Sequence, residues 1–88
     1  MKSLNHKRIE EVCQEYLISE EVIHKFILEE WIVPLDLEQM VFDDEDLARI
    51  GLILELKDEL GIGDEAVLII LRLIDQVNFL RAGIKTVK

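Results

Sequence analysis

The stretch FDDEDLARIGLILELKDELG, residues 42–61, carries the marks of a single helix with both ends written into it. Asp43 is placed as an N-cap, and Asp46, three residues on, has the capping-box spacing with Asp in place of the usual Glu or Gln. Phe42 before the cap and Leu47 beyond it have the spacing of a hydrophobic staple. Asp44, Glu45 and Asp46 complement the positive end of the helix, and Gly61 followed by Ile62 marks its C-terminus. Leu47, Ile50, Leu52, Ile53, Leu54, Leu56 and Leu60 cover roughly 220° of the circumference at the helical repeat. One packed neighbour does not bury so wide an arc. This helix, expected over about 44–60, should therefore lie between two layers of chain.

Upstream, Ile9, Val12, Cys13 and Tyr16 recur at helical spacing, which predicts a short amphipathic helix over about 7–16. Leu17 and Ile18 make a turn. Ser19 caps a second helix, about 20–30, with Glu20 and Glu21 in its first turn. Val22, Ile23, Phe26 and Ile27 form its buried face, and Glu20, Glu21, His24, Lys25, Leu28 and Glu29 project from the other. Two short helices joined by a tight turn form a helix-turn-helix. After Glu30 the pattern changes. Trp31-Ile32-Val33 runs into Pro34, and Met40-Val41-Phe42 forms a second short apolar run. Two short strands with a loop between them, about 31–42, would make a small wing, with Pro34 at a strand end.

Downstream, a last helix is expected over about 64–82, stopping before Gly83, with a frayed tail at 84–88. Ala66, Ile70, Leu73, Val77 and Leu80 keep coiled-coil spacing along one stripe. Val67, Leu71 and Ile74 form a second stripe beside it. With Ile69 the apolar arc reaches roughly 200°, more than burial on one small domain explains. The expectation is a rod that packs on the 44–60 helix with one stripe and on a second copy of the chain with the other. Val67, Ile70, Leu71, Ile74, Val77 and Leu80 are the candidate dimer contacts.

Eighty-eight residues make one small domain, whose single core benefits from self-association. Half the residues are hydrophobic, which excludes a disordered chain. Cys13 is the only cysteine and has no internal disulfide partner, which fits a reducing, cytoplasmic setting. No early hydrophobic run follows a basic start, so a signal peptide is not expected, and the longest apolar run, Ala66 to Leu71, is too short to span a bilayer. The net charge of −9 is unevenly placed: residues 17–46 hold ten carboxylates and one base, Lys25. A field of that sign repels phosphate backbones and attracts basic protein surfaces.

The order helix-turn-helix, short wing ending in Val41-Phe42-Asp43-Asp44, capped helix, then long apolar helix resembles the MerR-like winged helix-turn-helix family. Within it, the chain looks most like the CbpM-like chaperone modulators. Ile18-Ser19-Glu20-Glu21, Pro34, Val41 to Asp44, Glu59-Leu60 and Leu73-Ile74-Asp75 carry the resemblance, over about residues 9–82. It implies a mainly α fold of about four helices plus a two-stranded wing, and a cytoplasmic homodimer. It also implies a non-enzymatic regulator that binds the J-domain of a DnaJ/CbpA-like co-chaperone and restrains its work with Hsp70. Leu17 stands where such turns usually have Gly, and Glu30-Trp31 replaces the usual Gly before the wing.

The residues themselves agree with the direction of that resemblance. A groove-reading helix needs Arg, Lys, Asn or Gln on its outer face. Here the face offers Glu20, Glu21 and Glu29 against one Lys and one His, which disfavours nucleic acid. J-domains typically present a basic helix, so an acidic rival is electrostatically apt, chiefly for association rate and selectivity. Glu20, Glu21, His24, Leu28, Glu29 and Asp44 are therefore the candidate partner contacts; the bland reading of the same carboxylates is a solvated coat. Trp31 reads either as a corner plug or as a binding anchor. Cys13 reads as packing, and Asp43 to Asp46 as capping rather than a cation loop. Two His, one Cys and Ser19 do not assemble a nucleophile, base and orienter, and no metal or cofactor set is visible. The alternatives are a MerR- or excisionase-like DNA-binding regulator and a dimeric adaptor for another basic partner.

Overall fold

A computed structural model describes residues 6–87, and the side chains of residues 6–81. The elements in chain order are β1 (Lys7–Arg8), α1 (Ile9–Tyr16), α2 (Glu20–Leu28), β2 (Val41–Phe42), α3 (Asp44–Leu54) running into a π turn (Glu55–Glu59), and α4 (Asp64–Val87). The start of α3 follows the chemistry expected of it. Asp46 N–H donates to Asp43 Oδ1 at 2.9 Å and Asp43 N–H donates to Asp46 Oδ2 at 3.1 Å, closing the capping box. Phe42 and Leu47 are both buried in the core beside it.

α3 does lie between two neighbours. On one side the Tyr16 hydroxyl of α1 donates to the Leu47 carbonyl at 3.0 Å. A Cβ on Gly51 would meet the Tyr16 ring at 3.6 Å, so α1 crosses α3 in ordinary contact there. On the other side Arg49 pairs with Asp75 of α4. One cluster joins Ile9 and Val12 of α1, Ile23 and Phe26 of α2, Ile50 and Ile53 of α3, and Val67 and Leu71 of α4.

Three helix ends close through a left-handed residue, and only one of these is glycine: Leu17 (φ 57), Glu30 (φ 63) and Gly61 (φ 66). At the end of α2, Trp31 N–H donates to the Phe26 carbonyl and Glu30 N–H to the Ile27 carbonyl, while the Phe26 and Trp31 rings stand 5.5 Å apart. These are the two bonds and the apolar contact of a Schellman closure. Trp31, only 1% exposed, is thus the corner plug of the two readings offered above. After α3 the closure is one residue wider, Ile62 N–H to the Leu56 carbonyl at 2.8 Å, because the last turn is π-wound.

The wing differs from expectation. β2 forms where expected, but its antiparallel partner is Lys7–Arg8, not residues 31–33. Trp31 and Ile32 are both buried, so consecutive side chains there enter the core instead of alternating as a strand requires. The chain instead turns back over 36–41, where Asp36 and Val41 exchange backbone hydrogen bonds at 3.0 and 3.2 Å. Residues 7 and 8, expected in the first helix, are the strand that β2 needed. α4 also runs through Gly83 to Val87 instead of stopping at Ala82 with a frayed tail beyond; one glycine costs a helix only about 1 kcal/mol. Lys88 lies outside the described residues.

Its 24 residues make a rod of about 36 Å. Val67 and Leu71 are fully buried in the core of their own chain, so these two are not available to a second copy and leave the set of dimer contacts. Ile70 and Ile74 are partly covered. Leu73, Val77, Phe79 and Leu80 are exposed, since no part of the chain described packs on the second half of the rod.

Candidate functional site

α2 begins where Ser19 Oγ accepts from Val22 N–H at 3.4 Å. That cap, with Ile23 and Phe26 anchored in the core, turns Glu20, Glu21, His24, Leu28 and Glu29 outward together. All five are exposed, Leu28 at 83%. Asp44 stands on a different element, at the first position of α3, and is also exposed.

Lys25, the only base in residues 17–46, reaches away from this face to Asp64 at the start of α4, 3.0 Å away. Lys57 binds the other oxygen of Asp64 and lies 5.7 Å from the centre of the Trp31 ring. Hydrogen bonds from Lys57 and Lys25 hold the Asp64 carboxyl below its usual pKa. Arg49 is likewise engaged within the chain: Nε donates to the Trp31 carbonyl, and its terminal nitrogens bind both oxygens of Asp75 at 2.7 and 3.1 Å. The Arg49 guanidinium therefore holds the Asp75 carboxyl below its ordinary value. The outer face of α2 thus keeps its carboxylates while its one cation is neutralised by the fold.

The sequence alone did not single out Arg49 or the groove it borders, and it read Asp46 only as half of a capping box. Asp46 is buried and its Oδ2 takes a second donor, Leu35 N–H at 3.0 Å, so it fastens the segment after Pro34 to the start of α3. Burial is the largest influence on its carboxyl and raises the pKa against the opposing pull of the backbone hydrogen bond at Asp43. Arg49, with Ala48, Leu52, Ile74 and Asp75, lines a groove of about 650 Å³ between the 30–33 segment, α3 and α4. None of the six candidate contacts lines it, but their chain neighbours Glu30 and Glu45 do. A lone Arg in a helix otherwise rich in Leu and Ile was the available signal, but the sequence offers Glu45 and Asp46 at helical spacing as its partners, and pairing it with Asp75 needed the fold.

Cys13 is half-buried, and burial, with Glu20 and Glu10 nearby, raises its thiol pKa. A protonated thiol at neutral pH is the reverse of what a nucleophile needs. Among the described residues, no three His, Cys, Asp or Glu side chains are grouped to hold a metal ion, and no helix is long and apolar enough to cross a membrane.

No curated protein matches the chain. The family described as MerR HTH family regulatory protein matches it over residues 8–88, which takes in every helix and both strands except the first residue of β1. Those residues fold into a helix-turn-helix, a two-stranded antiparallel sheet and a long C-terminal rod, and the chain belongs to the MerR helix-turn-helix family of regulatory proteins.

Proposed function

We propose that this MerR-family protein is a non-enzymatic cytoplasmic regulator that binds a basic protein partner through its acidic surface. The observation that carries the reading is the engagement of Lys25 by Asp64, which leaves Glu20, Glu21 and Glu29 as the charges on the outer face of α2. Carboxylates there repel a phosphate backbone and speed association with a basic surface. The resemblance to CbpM-like modulators supplies the partner: the J-domain of a DnaJ/CbpA-like co-chaperone, whose work with Hsp70 is inhibited when its basic helix is covered. The exposed half of α4 supports a homodimer, with Ile70, Leu73, Ile74, Val77 and Leu80 as the seam.

A pull-down with the J-domain proteins of the same organism, run on wild type and on the Glu20→Lys/Glu21→Lys double variant, tests this. Capture by wild type and loss on charge reversal are expected; equal capture by both removes the electrostatic reading. The second reading, a DNA-binding transcriptional regulator, is favoured by the family to which the chain belongs. Tight, salt-sensitive binding to random duplex in a mobility-shift titration selects it over the first.

A further inference from the structure

The groove between the 30–33 segment, α3 and the middle of α4 has an apolar floor of Val33, Ala48, Leu52 and Ile74. Val33 is 75% exposed although the two residues before it are buried. The one guanidinium in the groove is already bound by the Trp31 carbonyl and by both oxygens of Asp75, so an anionic ligand meets no cation there that is not already engaged. The carboxylates of Glu30 and Glu45 line the groove, and neither forms a side-chain hydrogen bond or ion pair with the described residues. Apolar floor, carboxylates and neutralised arginine together select an occupant that is both amphipathic and cationic.

We propose that this groove docks a basic amphipathic helix of a partner protein, seating an apolar side chain on Val33, Leu52 and Ile74 and Lys or Arg of the same helix on Glu30 and Glu45. The proposal rests on the protein-binding reading above and places the anchor of that interface in the groove, with the α2 face contributing long-range attraction. A second copy of the chain is a poor occupant, because it brings a net charge of −9 to an acidic site.

The probe is a labelled Leu/Lys helical peptide of about 15 residues, long enough to fold on a surface, with a Leu/Glu peptide as its opposite. Each is titrated into the full chain by fluorescence anisotropy, and the bound state is mapped by amide and indole NMR shifts. The Leu/Lys peptide binds and the Leu/Glu peptide does not. Val33→Ser, a change at an exposed position that spares the fold, and Glu45→Lys each weaken binding by about tenfold, whereas Glu20→Lys/Glu21→Lys weakens it by about threefold or less. Shifts concentrate on the Trp31 indole, Ala48 and Ile74. Absence of Leu/Lys binding, shifts confined to Leu73, Val77 and Leu80, or a loss that follows the α2 double variant while Val33→Ser binds normally overturns the groove. The last result leaves the protein-binding reading standing, whereas failed J-domain capture together with tight duplex binding removes that reading itself.

Discussion

Replacing Asp46 separates two contributions that one carboxylate makes to the fold. Its Oδ2 accepts from Asp43 N–H at 3.1 Å and from Leu35 N–H at 3.0 Å while the residue is only 8% exposed. Asp46→Ala leaves both amides without their acceptor and opens half of the capping box. An abandoned buried donor costs about 1–3 kcal/mol and a lost cap about 1 kcal/mol. The exposed Leu35 segment rehydrates in part, and removing a buried charge gives some stability back, so the net loss is about 2–3 kcal/mol. Asp46→Asn keeps a carbonyl acceptor without the charge and loses about 1 kcal/mol or less. Urea unfolding at one fixed protein concentration measures both variants, and the Ala loss corresponds to a Tm drop of about 8–24 °C for a domain of this size. pH supplies an internal check. Because burial raises the folded-state pKa of Asp46, the stability its protonated form contributes is present below the unfolded pKa and is lost as pH rises through the folded one. Wild type therefore gains on Asp46→Asn as the solution is acidified from neutral through the carboxylate range. An Ala variant within about 0.5 kcal/mol of wild type, or an Asn variant as damaged as Ala, refutes the two-amide account.

Leu17→Gly and Glu30→Gly each stabilise by about 0.5–1 kcal/mol, because the left-handed conformation costs an L-residue about 1–2 kcal/mol and part of that relief is offset by the looser unfolded chain; a lower urea midpoint for either variant contradicts this. Asp64→Asn behaves oppositely to Asp46→Asn with pH. The Asp64 pKa is lowered in the folded state by Lys57 and Lys25, so its contribution is present above the unfolded carboxylate pKa and is lost as pH falls through the folded one. Wild type should exceed Asp64→Asn in thermal melts at neutral pH and converge with it in acid; parallel melts at every pH would exclude the lysine clamp. If the proposed homodimer forms through the exposed stripe of α4, Leu73→Glu/Val77→Glu places two charges on that stripe and lowers the mass in sedimentation equilibrium from dimer to monomer while circular dichroism stays native; a monomeric wild type or an unchanged mass removes that seam.

The helix starts were legible because capping chemistry is local. Asp43 and Asp46, and Ser19 with the N–H of Val22, act across three residues, a distance that sequence spacing reports directly. The excess of carboxylates in residues 17–46 was equally plain, as charge needs no geometry to be counted. What covers each apolar stripe was decided by the tertiary structure. Val67 and Leu71 differ from Leu73 and Val77 in angle around α4 and in position along it, and the shared core buries the first pair and leaves the second exposed. The same holds for β2, whose partner at Lys7–Arg8 lies more than thirty residues away along the chain, and for Arg49, whose carboxylate is Asp75 on another helix. Local hydrogen bonds and composition are properties of the chain, whereas partners brought together by collapse of a shared core exist only once the whole domain has folded.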